Sequence, residues 1–178
     1  ATMEIPAVGY GIRYEYGIFR QEFVDGWQRE QPDPWLEYGS PWEFPHPEAA
    51  VRVDFGGFTE KYDDHGTVRT RWVPAWNVLG IPYNYMVPGY QNGRVNTLRL
   101  WSAQATKAFD LGIFNAGDYA EAVRAQTFAE NITKVLYPED STPAGKELRL
   151  RQQYFFTACA LADLMRVADI EGIPITQI

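Results

Sequence analysis

A change of hydrophobic period near residue 105 constrains this chain more than any other feature. Before it, apolar and polar side chains alternate. Val51, Val53 and Phe55 are separated by Arg52 and Asp54, the period of a strand with one buried face. After it, Ala122, Val123, Phe128, Ile132 and Val135 recur at helical spacing. Residue chemistry changes at the same place. The first hundred residues favour Gly, Pro, Tyr and Trp, and the remainder favours Ala, Leu and Glu. The pattern predicts an α+β chain, with a strand-and-turn-rich sheet portion over 1–104 and a two-helix portion over 105–178.

Within the first portion, "VGYGIRY" and "IFRQEFV" read as short strands. The segment 29–50 holds five prolines and reads as an ordered loop with one helical turn, because Pro cannot donate to a sheet ladder. "DDHG" (63–66) is a turn. The run 67–88 supplies two strands, broken near Pro74 and at Gly80. Asn92-Gly93 is a hairpin signal, and a strand from Val95 to Ala103 follows. The expected topology is an antiparallel meander. In the second portion Asp118 caps a helix, with Glu121 three residues on, and Pro138 ends it. After a polar loop (139–145), a second long helix starts near Lys146. Its stripe comprises Leu148, Phe155, Ala158, Cys159, Ala162 and Met165. The tail 171–178 reads as a linker into a further strand.

Composition excludes some function classes. The 178 residues suit one domain or a large piece of one, and 46% apolar content allows a real core. A net charge of −7 argues against binding nucleic acid or an anionic membrane, both of which need a basic face. Cys159 is the only cysteine, so neither an internal disulfide nor a thiolate cluster can form. Its apolar context predicts a buried structural thiol. His46 and His65 lie in loop-like contexts and read as surface residues, not metal ligands. No signal peptide or transmembrane run is legible, so a cytoplasmic location is expected. The first residues, "ATMEIPAVGY", do not look like a natural start.

No catalytic constellation is complete. Glycines 9, 11 and 17 do not make a dinucleotide fingerprint, and no nucleophile elbow or phosphate loop is present. Aromatic residues make up 15% of the chain and interleave with polar ones in "PWLEYGSPWEF" and "IPYNYMVPGYQNGR". Such surfaces stack on sugar rings, but the same residues also pack sheets and their loops. Residue chemistry leaves both readings open.

Four stretches carry a resemblance: "GYGIRYEYGIF", "DPWLEYGSPWE", "VPGYQNGRVNTLRLWSA" and "AENITKVLYPEDSTPAGKELRLRQQYFF". In order and spacing, from about residue 1 to about residue 166, they resemble the α-glucan phosphorylases of glycogen, starch and maltodextrin. The resemblance implies a segment of the N-terminal α/β domain of a much larger two-domain glycosyltransferase, so that 1–104 and 105–178 form one incomplete domain. That family cleaves terminal α-1,4-glucosidic bonds with inorganic phosphate, giving glucose 1-phosphate. Its members are cytoplasmic homodimers, many of them allosteric, and use pyridoxal phosphate on a lysine. Lys107, Lys134 and Lys146 do not lie in that lysine's context. The family's glycine-rich loop is expected before Ala1 and its Asn-Asp-Thr-His motif after Ile178. The isolated segment is therefore expected to be inactive.

Two parts still carry function by resemblance. Residues 119–136 resemble the "tower" helix that meets its twofold mate, which implies dimer contacts at Tyr119, Phe128 and Asn131. Residues 137–145 resemble the loop that gates the catalytic cleft, with Glu139, Asp140 and Ser141 as gate residues. Asp140 aligns with an acidic residue whose charge disfavours phosphate until it moves. Thr142 stands where animal enzymes carry a purine-stacking aromatic, which suggests a bacterial-type enzyme. "GYGIRYEYGIF" implies scaffold beside the cleft. Arg13 and Glu15 are candidates to pair there, and Tyr14 and Tyr16 are core or rim residues. The rival reading is a non-catalytic module that holds glucan on aromatic surfaces.

Overall fold

A computed structural model describes residues 1–107, 109–174 and 176. Strand β1 (Val8–Ile12) is followed by β2 (Arg20–Val24), β3 (Trp27–Gln31) and the short β4 (Glu43–Pro45). A single 3-10 turn (Pro47–Ala49) leads into β5 (Val51–Phe55), β6 (Phe58–Asp64), β7 (Thr67–Val73), β8 (Trp76–Pro88) and β9 (Val95–Ala105). The helices are α1 (Leu111–Asn115), α2 (Tyr119–Ala122), α3 (Arg124–Ile132) and α4 (Pro143–Glu171).

The α+β class is as expected, but the sheet is mixed. β8 is its spine, pairing antiparallel with β9 along one edge and with β4 and β5 along the other. β1 then joins β9 in parallel, from Val8 opposite Thr97 to Ile12 opposite Trp101. A meander cannot place the first strand this way, because a parallel neighbour needs a long crossover. Here the crossover is everything between β1 and β9, including two separate hairpins, β2–β3 and β6–β7. The first hairpin turns at Asp25-Gly26, both with positive φ, so the proline-rich loop starts later than Arg29. The "DDHG" turn closes β6–β7, with the Gly66 N–H donating to Asp63 at 2.6 Å. Asn92-Gly93 lies inside a six-residue connection between β8 and β9 and is not a two-residue turn.

β8 breaks before Trp76, as Pro74 requires, but runs unbroken through Gly80. Gly80 marks a close approach. A Cβ built there would lie 2.4 Å from Cys159 Sγ and 3.3 Å from the Phe155 ring on α4. The core is this contact extended. Val53, Phe55, Val78, Trp101 and Ala103 of the sheet meet Ala129 and Ile132 of α3 and Phe155 and Cys159 of α4. Burial pushes the Cys159 thiol up to about 12, in keeping with a structural role.

The expected pair of long helices is corrected. Only α4 is long, at 29 residues, while the stretch 119–136 is α2, a break at Val123, and the nine-residue α3. Val123 has φ −113°, ψ 4°, outside the helical well. Asp118 caps α2 as expected, accepting from the Glu121 N–H. α3 ends at Ile132, well short of Pro138. α1, capped by Asp110, was not anticipated. On α4 the buried residues are Gln152, Phe155, Cys159, Asp163 and Ala168, and Met165 is exposed. The tail expectation falls partly outside the described residues. α4 stops at Gly172, whose φ of 68° gives the left-handed cap that favours glycine.

Candidate functional site

The loop 139–142 is built by the start of α4. Thr142 is the N-cap, its hydroxyl accepting from the Gly145 N–H at 3.1 Å. Gly145 is packed so tightly that an added Cβ would lie 1.8 Å from the Glu139 carbonyl oxygen. The Glu139 carboxylate accepts from the Ser141 N–H at 2.7 Å, which holds that carboxyl below its usual range. Asp140 forms an ion pair with Arg149, two turns into the helix. Arg149 stands seven residues from the cap, and this spacing puts both on one helix face. The spacing was legible in the sequence, although nothing marked Arg149 itself as functional.

Arg149 also lines a cleft of about 370 Å³, together with Tyr10, Ile12, Tyr14, Tyr137 and Gln152. Three of these six residues come from the tyrosine-rich opening stretch. Tyr14 is half-buried, and burial followed by the neighbouring Tyr137 raises its phenol. The Gln152 side chain donates to the Val135 carbonyl at 2.8 Å, tying α4 to the segment that leads into the loop. Of the three loop residues, Asp140 reaches this cleft through its pair with Arg149, whereas Glu139 lines a separate cleft with Phe128, Asn131 and Leu148.

The expected pairing of Arg13 with Glu15 is replaced by two other pairs. Arg13 donates twice to Glu43, at 2.7 and 2.8 Å, and lies over the Tyr83 ring. Glu43 also accepts from the Tyr85 hydroxyl at 2.7 Å. Burial raises the Glu43 carboxyl, but these hydrogen bonds outweigh it and leave it below the usual range. Glu15 instead pairs with Lys134 at 3.2 Å. β1 and β9 explain the first exchange. Arg13 follows β1, its N–H donating to the Trp101 carbonyl, which carries the side chain to β4 and away from Glu15.

The three dimer-contact candidates are not equivalent. Tyr119 is exposed beside Phe114, and Asn131 is exposed on α3. Phe128 faces inward, edge-on to Trp76 at 4.3 Å and beneath Arg151. His65 is exposed in its turn. His46 is partly buried, with Nδ1 2.7 Å from Glu48. Among the described residues, no cluster of His, Cys, Asp or Glu is arranged to hold a metal, and no helix is long and apolar enough to cross a membrane.

A mixed sheet is thus backed by one long helix with an acidic loop at that helix's start. Comparison defines the class: the model of the carbohydrate phosphorylases matches residues 1–178, and the chain belongs to that family. Among curated relatives it is similar to the glycogen phosphorylase of Synechocystis sp., 55% identical over 168 residues, covering 94% of this chain and 20% of that protein. The human liver form of glycogen phosphorylase is 52% identical over 166 residues, covering 93% and 19%. The chain spans about a fifth of the length of these relatives.

Proposed function

We propose that this chain is part of a cytoplasmic α-glucan phosphorylase, which cleaves terminal α-1,4-glucosidic bonds with inorganic phosphate to give glucose 1-phosphate. Within it, the stretch supplies scaffold, a helix at the homodimer contact and the gate of the catalytic cleft. The sheet portion 1–104 and helical portion 105–178 act as one incomplete domain, a reading supported by the core they share. The observation that carries the gate reading is the Asp140–Arg149 pair at the mouth of the cleft floored by β1. In this position the Asp140 charge repels an incoming phosphate and occupies the guanidinium that would otherwise attract one. Moving the loop removes the repulsion and frees the cation. Tyr119, Phe128 and Asn131 are the candidates for the contact with a second copy, of which Tyr119 and Asn131 are exposed and Phe128 packs against Trp76.

A Schiff-base cofactor needs a sheltered lysine without a carboxylate partner. The four lysines do not fit, since Lys61 is exposed on β6, Lys107 is held by Asp110, Lys134 by Glu15, and Lys146 is exposed in the first turn of α4. Pyridoxal phosphate would therefore be bound by residues outside this stretch, and the stretch alone would be inactive.

The test is phosphorolysis of maltoheptaose by the native-length protein with pyridoxal phosphate present. Glucose 1-phosphate is expected, and Asp140→Asn is expected to lower the KM for phosphate severalfold. Failure to release glucose 1-phosphate would sink the enzymatic reading and favour a glucan-holding module. An unchanged phosphate KM in the variant would sink the gate alone.

A further inference from the structure

Gln152 is an uncharged polar side chain on a helix whose other buried residues include Phe155, Cys159 and Ala168. It is 5% exposed. A carboxamide taken out of water costs free energy unless it is hydrogen-bonded. Its side-chain amide donates to the Val135 carbonyl at 2.8 Å. That partner stands at the root of the loop 137–145.

The chain approaches the loop along the tyrosine-rich opening stretch. The Glu15 N–H donates to the Thr133 carbonyl at 2.9 Å, and the Tyr16 N–H to the Lys134 carbonyl at 3.0 Å. Tyr16 is bridged in parallel to Val135. Thr133 is held in turn, its hydroxyl accepting from the Ala103 N–H at 3.2 Å. Beyond Val135 this support ends. Among the described residues, no backbone-to-backbone hydrogen bond anchors 136–141. The Val135 carbonyl is therefore the last backbone group tied down before the loop, and the tie is Gln152.

Gly145, Arg149 and Gln152 stand four and three residues apart, on one face of α4. Each meets the incoming segment in a different way. Gly145 makes a close approach to the Glu139 carbonyl and no bond. Arg149 pairs with Asp140, with the two side chains 45% and 48% exposed, so water and salt weaken that contact. Gln152 makes a neutral hydrogen bond from a buried position. Stranding a buried polar group costs more than releasing an exposed ion pair. The middle of the loop can thus leave Arg149 while its root stays on Gln152.

We infer that Gln152 is a positioning residue of the gate. It fixes the root of the loop at Val135, so that Asp140 returns to Arg149 and the gate closes in register. The inference rests on the reading of residues 137–145 as the gate of the catalytic cleft.

The test uses the native-length protein with pyridoxal phosphate present. Gln152→Met keeps an unbranched side chain of similar length and loses the donor. Gln152→Leu loses the donor with a different shape. Both are expected to lower the KM for phosphate severalfold, as Asp140→Asn does, because a loop without its root leaves Arg149 free more often. In the Asp140→Asn background neither is expected to lower it further, since the charge through which they act is gone. A purely structural role would reduce kcat or stability and leave the phosphate KM in place. A shift in Gln152→Leu that Gln152→Met does not share would be a packing effect and would overturn the assignment. A phosphate KM that responds to Asp140→Asn and ignores both Gln152 variants rejects Gln152 and keeps the gate. If Asp140→Asn also leaves it unchanged, the gate reading fails and the role of Gln152 with it. Amide hydrogen exchange is read by mass spectrometry on the same samples. Residues 136–141 are expected to exchange severalfold faster in both Gln152 variants, with β8 unaltered. Absence of glucose 1-phosphate release rejects the enzymatic reading, and exchange then judges the tie alone: faster exchange at 136–141 keeps it, and unchanged exchange overturns it.

Discussion

Asp163, on the face of α4 toward the sheet, shows how much of this fold depends on single charged groups. It is 1% exposed and accepts from the Tyr10 hydroxyl at 2.9 Å, from Arg99 at 2.6 and 2.7 Å and from Arg166 at 2.8 Å. Burial raises its carboxyl, but the Arg166, Tyr10 and Arg99 interactions win and leave it below the usual range. Asp163→Asn should destabilise the protein by about 3 kcal/mol, the low end for breaking a buried pair, because Arg166 can turn to solvent. Urea denaturation gives the number, and a loss under about 1 kcal/mol would mean that the arginines rehydrate at little cost. The same cluster sets a pH window. A carboxylate depressed by folding stabilises above its unfolded pKa near 4, and that contribution is lost as pH falls through the lower folded value. Tyr10 behaves in the opposite sense. Burial, then the Asp163 hydrogen bond, push its phenol up to about 12 from an ordinary 10. The unfolded state therefore loses this proton first, and stability should fall between about pH 10 and 12. Melting temperature against pH reads both limbs. Tyr10→Phe should make the alkaline limb shallower without abolishing it, since burial also raises Cys159 and Tyr14. It should make the acid limb shallower as well, because Asp163 loses one of the hydrogen bonds that depress it. An unchanged alkaline limb would remove Tyr10 from its origin.

At the scale of elements, the packing of β8 on α4 decides the architecture, and Gly80 is its narrowest point. Gly80→Ala forces a Cβ against Cys159 Sγ and the edge of Phe155. Overpacking of this kind costs about 1–3 kcal/mol. Cys159→Ala removes the atom most in the way, so the double variant should recover part of that loss, and a double-mutant cycle in denaturant measures the coupling. Strict additivity would show that the helix shifts away instead. This contact also explains what the sequence could and could not show. Val51, Val53 and Phe55 announced β5 because one face is buried and alternation survives. Gly80 read as a break because a glycine inside a strand pattern is locally weak, and only the helix behind it reveals its purpose. The parallel docking of β1 on β9 joins residues about ninety positions apart, and no local pattern encodes such a pairing. The stretch 119–136 kept helical periodicity across Val123, so one helix was expected where two short ones form. The gate candidates Glu139, Asp140 and Ser141 came from resemblance alone, whereas the partners of Arg149 and Asp163 emerged only from the fold.

For the whole molecule, the question is how its apolar surface is managed. Phe23 and Trp27 on the β2–β3 hairpin are 79% and 78% exposed. Trp27 lies opposite Val24, and Phe23 opposite Gln28, so the two aromatics occupy opposite faces of the ribbon. A two-stranded hairpin has no core of its own, and aromatic surface bared on both faces is a site of association. Ile18 and Trp42 add further exposed apolar area elsewhere. The net charge of −7 opposes contact between copies. The 178-residue chain studied alone should therefore associate with rising concentration, and do so more strongly as salt screens the repulsion. Sedimentation velocity across a dilution series, at low and at physiological salt, is the measurement. Phe23→Ser with Trp27→Ser should shift the distribution toward monomer without altering the far-ultraviolet circular dichroism, because neither side chain enters the core. A chain that stays monomeric at every concentration would show that the hairpin's own charges, Arg20, Glu22, Arg29 and Glu30, suffice to keep its aromatics apart. Association that weakens with salt would assign the contact to ion pairs and leave the aromatic faces without a role in it.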